Sequence, residues 1–326
     1  MKTAAPSLKN APRRSNLGRQ RTEQAFKAVC LVALVVTFGV LLTLLASVAW
    51  MGVKYLDFGF LTGLPSRHPE KAGVMPALMG TLWACLICAL TAIPIGVATA
   101  VLLEEYRPKN SLGRWLMDVL QLNITNLAGV PSIVYGVLGL TVFVYVFQTA
   151  ATASGPDAWS LSIGSPSGWF YLQLPMGRSV LAGGLTLALV IMPVIITAAS
   201  EAIRAVPSSL KQASLALGAT RWQTIRRVVL PKALPGIATG SILAMSRAIG
   251  EAAPVLMISG AVFLTFAPRN LMDKFTVMPL QIYSWVGKPQ EEFHQVAATG
   301  IVVLLAVLLL FNGTAVLIRQ RAQRMG

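Results

Sequence analysis

The chain has 326 residues, 55% hydrophobic and 12% charged, with a mean hydropathy of +0.67. So apolar a composition excludes a water-soluble domain of this length. The net charge of +15 is therefore read by side of a membrane, not as a footprint for nucleic acid. Apolar runs recur that can cross a hydrocarbon core about 30 Å thick at about 1.5 Å per residue.

Residues 1–25 form a basic segment, with Lys2, Lys9, Arg13, Arg14, Arg19 and Arg21 against Glu23. The first apolar run, 26–50, exceeds a signal-peptide core of about 7–15 residues, and no small-residue cleavage site follows it. It is predicted to be a retained span. A polar loop over 51–73 leads to a second span, 75–103, which Glu104-Glu105-Tyr106-Arg107-Pro108-Lys109 ends sharply. The third span, 119–147, is interrupted by Asn123, Asn126, Gly129 and Pro131. Gly129, Pro131, Gly136 and Gly139 either unwind it beside a solute path or only kink it to admit a neighbour. A Ser-, Gly- and Pro-rich loop follows, and its Trp159, Trp169, Phe170 and Tyr171 have the character of interfacial anchors.

The fourth span, 179–200, contains Pro193. A basic loop over 201–234, a fifth span to about 263, an outer loop and a sixth span over 296–318 complete the core. The tail 319–326 carries Arg319, Arg321 and Arg324. Lys and Arg number 19 on the side holding both termini and 7 on the other. That excess predicts cytoplasmic termini and a cytoplasmic 201–234 loop. Cys30, Cys85 and Cys88 all fall in predicted spans, where they read as small packing residues and not as a disulfide framework or metal site. His68 and His294 read as incidental, and Asp57, Glu70, Asp157, Asp273 and Glu291 as solvated positions.

Within the basic loop, Leu210, Ala213, Leu217, Ile225, Val228 and Val229 recur at helical spacing among Arg204, Lys211, Arg221, Arg226 and Arg227. Gly218 suits a helix C-terminal cap, and Pro231 and Pro235 are expected to stop the second helix before the fifth span. The pattern is helix, glycine turn, helix. Taken physically, it fits a helix pair resting on the membrane as well as one gripping a partner.

Gln212-Ala213-Ser214-x-x-x-Gly218, followed after nine residues by Val228-x-Leu230-Pro231, resembles the EAA-loop pattern of ABC importer permeases. Ala213, Gly218, Leu230 and Pro231 match that pattern, while Gln212, Ser214 and Val228 replace its Glu, Ala and Ile. Asn126 to Gly136 is similar to the third-span segment of phosphate importer permeases. Arg247-Ala-Ile-Gly-Glu-Ala-Ala-Pro254 is closer to their A-type (PstA-like) subunit, with Ala252 in place of Thr. The resemblance covers about residues 75–318. It implies an all-α polytopic membrane protein of six transmembrane helices with the ABC transporter type-1 permease fold, in a bacterial inner membrane. It further implies a loop at Gln212, Ala213, Gly218, Leu230 and Pro231 that docks on a cytoplasmic ATPase. The implied partners are a second, PstC-like permease, two PstB-like ATPases that use the ATP, and a periplasmic PstS-like phosphate-binding protein.

Arg247 is expected some way into the fifth span, about 20 Å along the helix. Glu251, four residues on, can meet it on one helical face. Gly236, Gly240, Ala244, Ala248 and Ala252 place a small residue at every fourth position, a stripe that lets helices approach closely. Arg247 and Glu251 read as a substrate-pathway pair, the arginine attracting the anion and the glutamate holding it when the path is empty. The rival reading is a buried pair that only fixes packing. No G-x-x-x-x-G-K-[ST] loop occurs, so no nucleotide cofactor is expected in this chain. No Ser/His/Asp grouping or metal-binding His cluster is present either, so it is not expected to be an enzyme. A permease for another oxyanion, or a carrier working without ATP, stand as alternatives.

Overall fold

The computed structural model describes residues 16–108, 110–146, 161–164, 171–174, 176–259 and 263–325. The chain forms two compact units, Met1–Met51 and Gly52–Gly326. The first holds nearly all of helix α1 (Asn16–Gly52), which starts inside the basic segment; Glu23 and Lys27 pair at 2.6 Å, one turn apart. Lys2, Lys9, Arg13, Arg14, Asp157, Trp159, Trp169 and Phe170 lie outside the described residues.

The second unit begins with α2 (Phe58–Thr62) and the long α3 (Met75–Glu105). Asp57 is not merely solvated: it caps α2, accepting from Phe60 N at 2.6 Å. Next come α4 (Ser111–Leu127) and α5 (Ser132–Gly139), the latter continued by a π-helical turn, Leu140–Val146. The interruption expected in the third span is a sharp bend, with the two helices meeting at 108°. Pro131 lacks an N–H, and its ring pushes Val130 out of helical geometry. The Leu127 carbonyl accepts twice at the bend, from Val130 N at 3.1 Å and from the Tyr135 hydroxyl at 2.7 Å, so the side chain ties α5 back to the end of α4.

An antiparallel hairpin of β1 (Leu161–Gly164) and β2 (Tyr171–Leu174), with Leu161 opposite Leu174, stands where the sequence suggested only a loop. Helix α6 (Val180–Arg204) follows, then α7 (Ser208–Ala216), α8 (Arg221–Thr224) and a π turn, Ile225–Val229, that runs into α9 (Leu230–Gly250). Pro231 and Pro235 do not stop the helix, contrary to expectation. Pro231 falls in the first turn of α9, just after the wide π turn, where its missing N–H costs little. The chain ends with α10 (Ala253–Ser259), α11 (Met278–Val286) and α12 (Glu291–Met325).

Among the described residues five helices are long and apolar enough to cross a membrane, or six spans if the bent α4–α5 pair counts as one. The core is built on α3 against α6, through Ala84, Ile87, Cys88 and Ala92 with Leu187, Ile191 and Ile195. Helix α9 closes on α6 along its small-residue stripe. A Cβ at Gly240 would lie 2.3 Å from the Ala198 Cβ, so the two backbones touch here only because both residues are small. Buried Thr81 and Thr186 turn their hydroxyls to carbonyls one turn back, each at 2.8 Å, so neither of these two hydroxyls is stranded.

Two further clusters lie at the ends of the bundle. Ala100, Ile203, Ile225, Val229 and Ala233 close the end that carries the basic loop. Phe60, Met278, Trp285, Phe293 and Val296 close the other. Helix α11 was not foreseen, since it is short and interrupted by Gln281 and Ser284; only its packing on Phe60 and Phe293 reveals its apolar side.

Candidate functional site

Helix α9 ends at Gly250, so the fifth span does not run on to 263 and Arg247 sits in its last turn. The cause is Pro254. It has no N–H to offer the Gly250 carbonyl, and it is well suited to the first turn of a new helix. The chain therefore leaves helical geometry at Glu251 (φ −76°, ψ 118°) and restarts as α10. Glu251 lies beyond the helix, not on its face, and Ala252 drops out of the small-residue stripe for the same reason.

The two charged groups nevertheless meet: Arg247 Nε donates to Glu251 Oε1 at 3.0 Å. The Glu251 side chain is 15% exposed and that of Arg247 49% exposed. The arginine shares an open flank of α9 with Leu243 and Gly250, while Ala244 and Ala248 face inward. On the adjoining flank, Ser246 Oγ lies 2.6 Å from Asn312 Oδ1 of α12. Arg319 Nη1 donates to Thr239 Oγ1 at 2.7 Å, two turns nearer the basic end.

The second interrupted span lies beside the first. A Cβ on Gly136 of α5 would fall 2.7 Å from Pro254 Cα, so α5 and α10 touch backbone to backbone. Gly139 comes closer still to the Thr186 side chain, where a Cβ would fall 2.1 Å from Oγ1. Gly136 and Gly139 thus admit neighbours, whereas Pro131 with Gly129 marks the bend itself. Non-helical backbone at membrane depth persists only where protein or a wet cavity surrounds it. Two such breaks on touching elements, next to an accessible guanidinium, make a polar locus that can receive an anion.

The basic loop forms the second locus. Gly218 takes φ +84°, with Gly218 N donating to Leu215 O and Ala219 N to Ser214 O. This pairing is a Schellman cap, and a Cβ at Gly218 would meet nothing within 4 Å. Glycine is needed for its backbone angle, not for space. Thr220 and Gln223 then form a capping box at the start of α8, through Thr220 N to Gln223 Oε1 at 2.8 Å and Gln223 N to Thr220 Oγ1 at 3.3 Å. The spacing Thr-x-x-Gln carried this signal and the sequence reading missed it.

The expected single apolar ridge divides in two. Ile225 and Val229 are buried in the bundle, whereas Leu210, Ala213 and Leu217 are exposed, Leu217 at 89%. Gln212 is exposed on α7, and Leu230 and Pro231 open α9, half-buried and exposed respectively. Trp222 adds an exposed aromatic that the sequence reading passed over. Asp273 proves structural, accepting from Arg269 N at 2.7 Å and Asn270 N at 3.1 Å.

Residues 92–324 match the family described as "Binding-protein-dependent transport system inner membrane component". The chain is 33% identical over 237 residues to the phosphate transport system permease protein PstC of Mesorhizobium japonicum, covering 72% of this chain and 69% of that one. It is also 33% identical over 261 residues to the phosphate transport system permease protein PstA 1 of Mycobacterium tuberculosis, covering 78% and 74%. The fold is similar to that of a bacterial alginate ABC transporter, with a TM-score of 0.58 at 18% identity over 94% of this chain and 99% of that one.

Proposed function

Because the chain belongs to the family of binding-protein-dependent transport system inner membrane components, we propose that it is a permease subunit of an ATP-driven importer of inorganic phosphate. The observation that carries the reading is Arg247, half exposed at the broken end of a membrane span. On this reading the break at Glu251 leaves Arg247 within the membrane, and an arginine facing lipid at the centre of a span costs ~2.5–3.5 kcal/mol on insertion scales. The open flank of α9 therefore faces protein or water, and the guanidinium offers a fork of donors that suits a phosphate oxygen pair. Glu251 occupies the guanidinium when no anion is present, which keeps the site from binding so tightly that it cannot release. The phosphate assignment is supported by the relatives named for phosphate transport. The Gly250-Glu251-Ala252-Ala253-Pro254 run supports the A-type place beside a PstC-like partner.

The basic loop docks on the ATPase. Helix α7 buries none of its own residues, and Leu210, Leu217 and Trp222 stand out beside Gln212 and Ala213. A carrier working without ATP would have no use for such a surface. The excess of basic residues on this side, 19 against 7, supports a cytoplasmic position for the loop and both termini. The partners are then two PstB-like ATPases, which hold and hydrolyse the ATP, and a PstS-like binding protein on the opposite face.

The test is uptake of labelled phosphate at low concentration by cells lacking this chain, with and without its return on a plasmid. Restored uptake is the expected result. If the chain reaches the membrane and uptake does not change, phosphate is the wrong solute, and restored uptake of another oxyanion would identify the right one.

A further inference from the structure

Glu104 and Glu105 close helix α3. Two carboxylates in a last turn face the partial negative end of their own helix, an unfavourable placement unless cations lie opposite. Both have one. Glu104 accepts a two-point fork from Arg204, with Nε to Oε2 at 2.8 Å and Nη2 to Oε1 at 2.7 Å. Glu105 Oε1 accepts from Lys211 Nζ at 2.5 Å. The carboxylates are only 12% and 15% exposed. By contrast, the nearby Arg107–Asp118 pair is 3.9 Å apart with both side chains open to solvent.

The placement of the two cations gives the pairs their meaning. Arg204 is the last residue of α6 and Lys211 lies inside α7; only residues 205–207 separate the helices. The end of α3 thus grips the chain on both sides of one short connector. Helix α7 buries no residue of its own, so apolar packing does not fix its angle. What holds it is Lys211–Glu105 and a 2.9 Å contact between the Ser214 and Thr224 hydroxyls.

We propose that Glu104 and Glu105 are positioning residues that clamp α7 to α3 and α6, so that a displacement of the docking helices is passed to the bundle. This rests on the docking role proposed above. Helix α3 is suited to carry such a displacement. Its far turns pack through Ala84 and Cys88 in the same cluster as Ala244 and Ala248, the residues flanking Arg247 on α9. Without the clamp, α7 would swing about the connector and absorb the push itself.

The test uses the full chain assembled with its partner subunits, in a background with Cys30, Cys85 and Cys88 replaced by serine. Spin labels at Leu102→Cys and Ser209→Cys, both exposed positions, report the distance between α3 and α7. Glu105→Lys should broaden that distance distribution, and Glu105→Lys with Lys211→Glu should narrow it again. In proteoliposomes, phosphate moved per ATP hydrolysed should fall roughly threefold in Glu105→Lys, a size typical of a partly exposed pair. The charge swap should restore it. An unchanged distribution in Glu105→Lys overturns the clamp whatever the solute is. So does a broadened distribution with wild-type coupling. If the wild-type assembly moves no phosphate while the distances respond as stated, the substrate assignment fails and the clamp stands.

Discussion

Replacing Arg247 by glutamine separates a solute-path role from a packing role, because the two effects differ in size. The Arg247–Glu251 bond is 3.0 Å long, but the arginine is 49% exposed, so solvent screens the pair. Its loss should cost no more than about 1 kcal/mol of stability. That is too little to remove a helix already fixed on α6 through Gly236 and Gly240. A charge-assisted hydrogen bond to a passing anion contributes about 1.5–3 kcal/mol, and its loss slows transport by roughly 10- to 150-fold. Arg247→Gln should therefore leave the membrane level, read by immunoblot, within about twofold by the smaller energy. Uptake of labelled phosphate should fall at least about tenfold by the larger one. Arg247→Gln with Glu251→Gln removes the stranded carboxylate and sharpens the comparison. Recovery of uptake in the double variant, or normal uptake in the single one, would refute the path role and leave a packing pair.

Three more predictions test the geometry. Gly218→Val, forced to φ +84°, should cost about 1–2 kcal/mol locally and weaken co-purification of the ATPase while the span pattern, read by protease accessibility, stays intact. Gly240→Leu should deplete the chain from the membrane, since even a Cβ there would meet Ala198 Cβ at 2.3 Å, and Gly240→Ala should show a milder loss on the same immunoblot. The Lys288 ammonium has its pKa lowered, first by burial and then by the Arg67 charge, and lies 3.6 Å over the Phe293 ring. A lowered pKa means more neutral amine at a given pH. Lys288 should therefore react with a membrane-impermeant acylating reagent at lower pH than an ordinary lysine. Arg67→Ala, which removes one lowering charge, should slow that labelling at fixed pH; peptide mass mapping reads both.

The parts of the site that were legible in the sequence are those set by local rules. Gly218 announced a left-handed cap, and Gly236, Gly240, Ala244 and Ala248 announced a face for close helix contact. The four-residue spacing of Arg247 and Glu251 announced a pair. The errors arose where two local rules competed. Pro231 and Pro235 are helix stops when read alone, yet a π turn before the first and the burial of Ala233 and Ile237 keep the helix going. Pro254 carries the same chemistry with the opposite result, because α5 sits against it through Gly136 and stabilises the break.

Sequence by itself determined the class, the number of apolar runs, the side bias of the basic residues and the family, since each follows from composition or from spacing along one strand of chain. Only the tertiary structure decided that Glu104 and Glu105 answer Arg204 and Lys211, that Trp285 and Phe293 seal the far end, and that the spans around Arg247 are broken and adjacent. These depend on residues far apart in sequence meeting in space. No periodicity within a single helix records which neighbour its polar side chains will find.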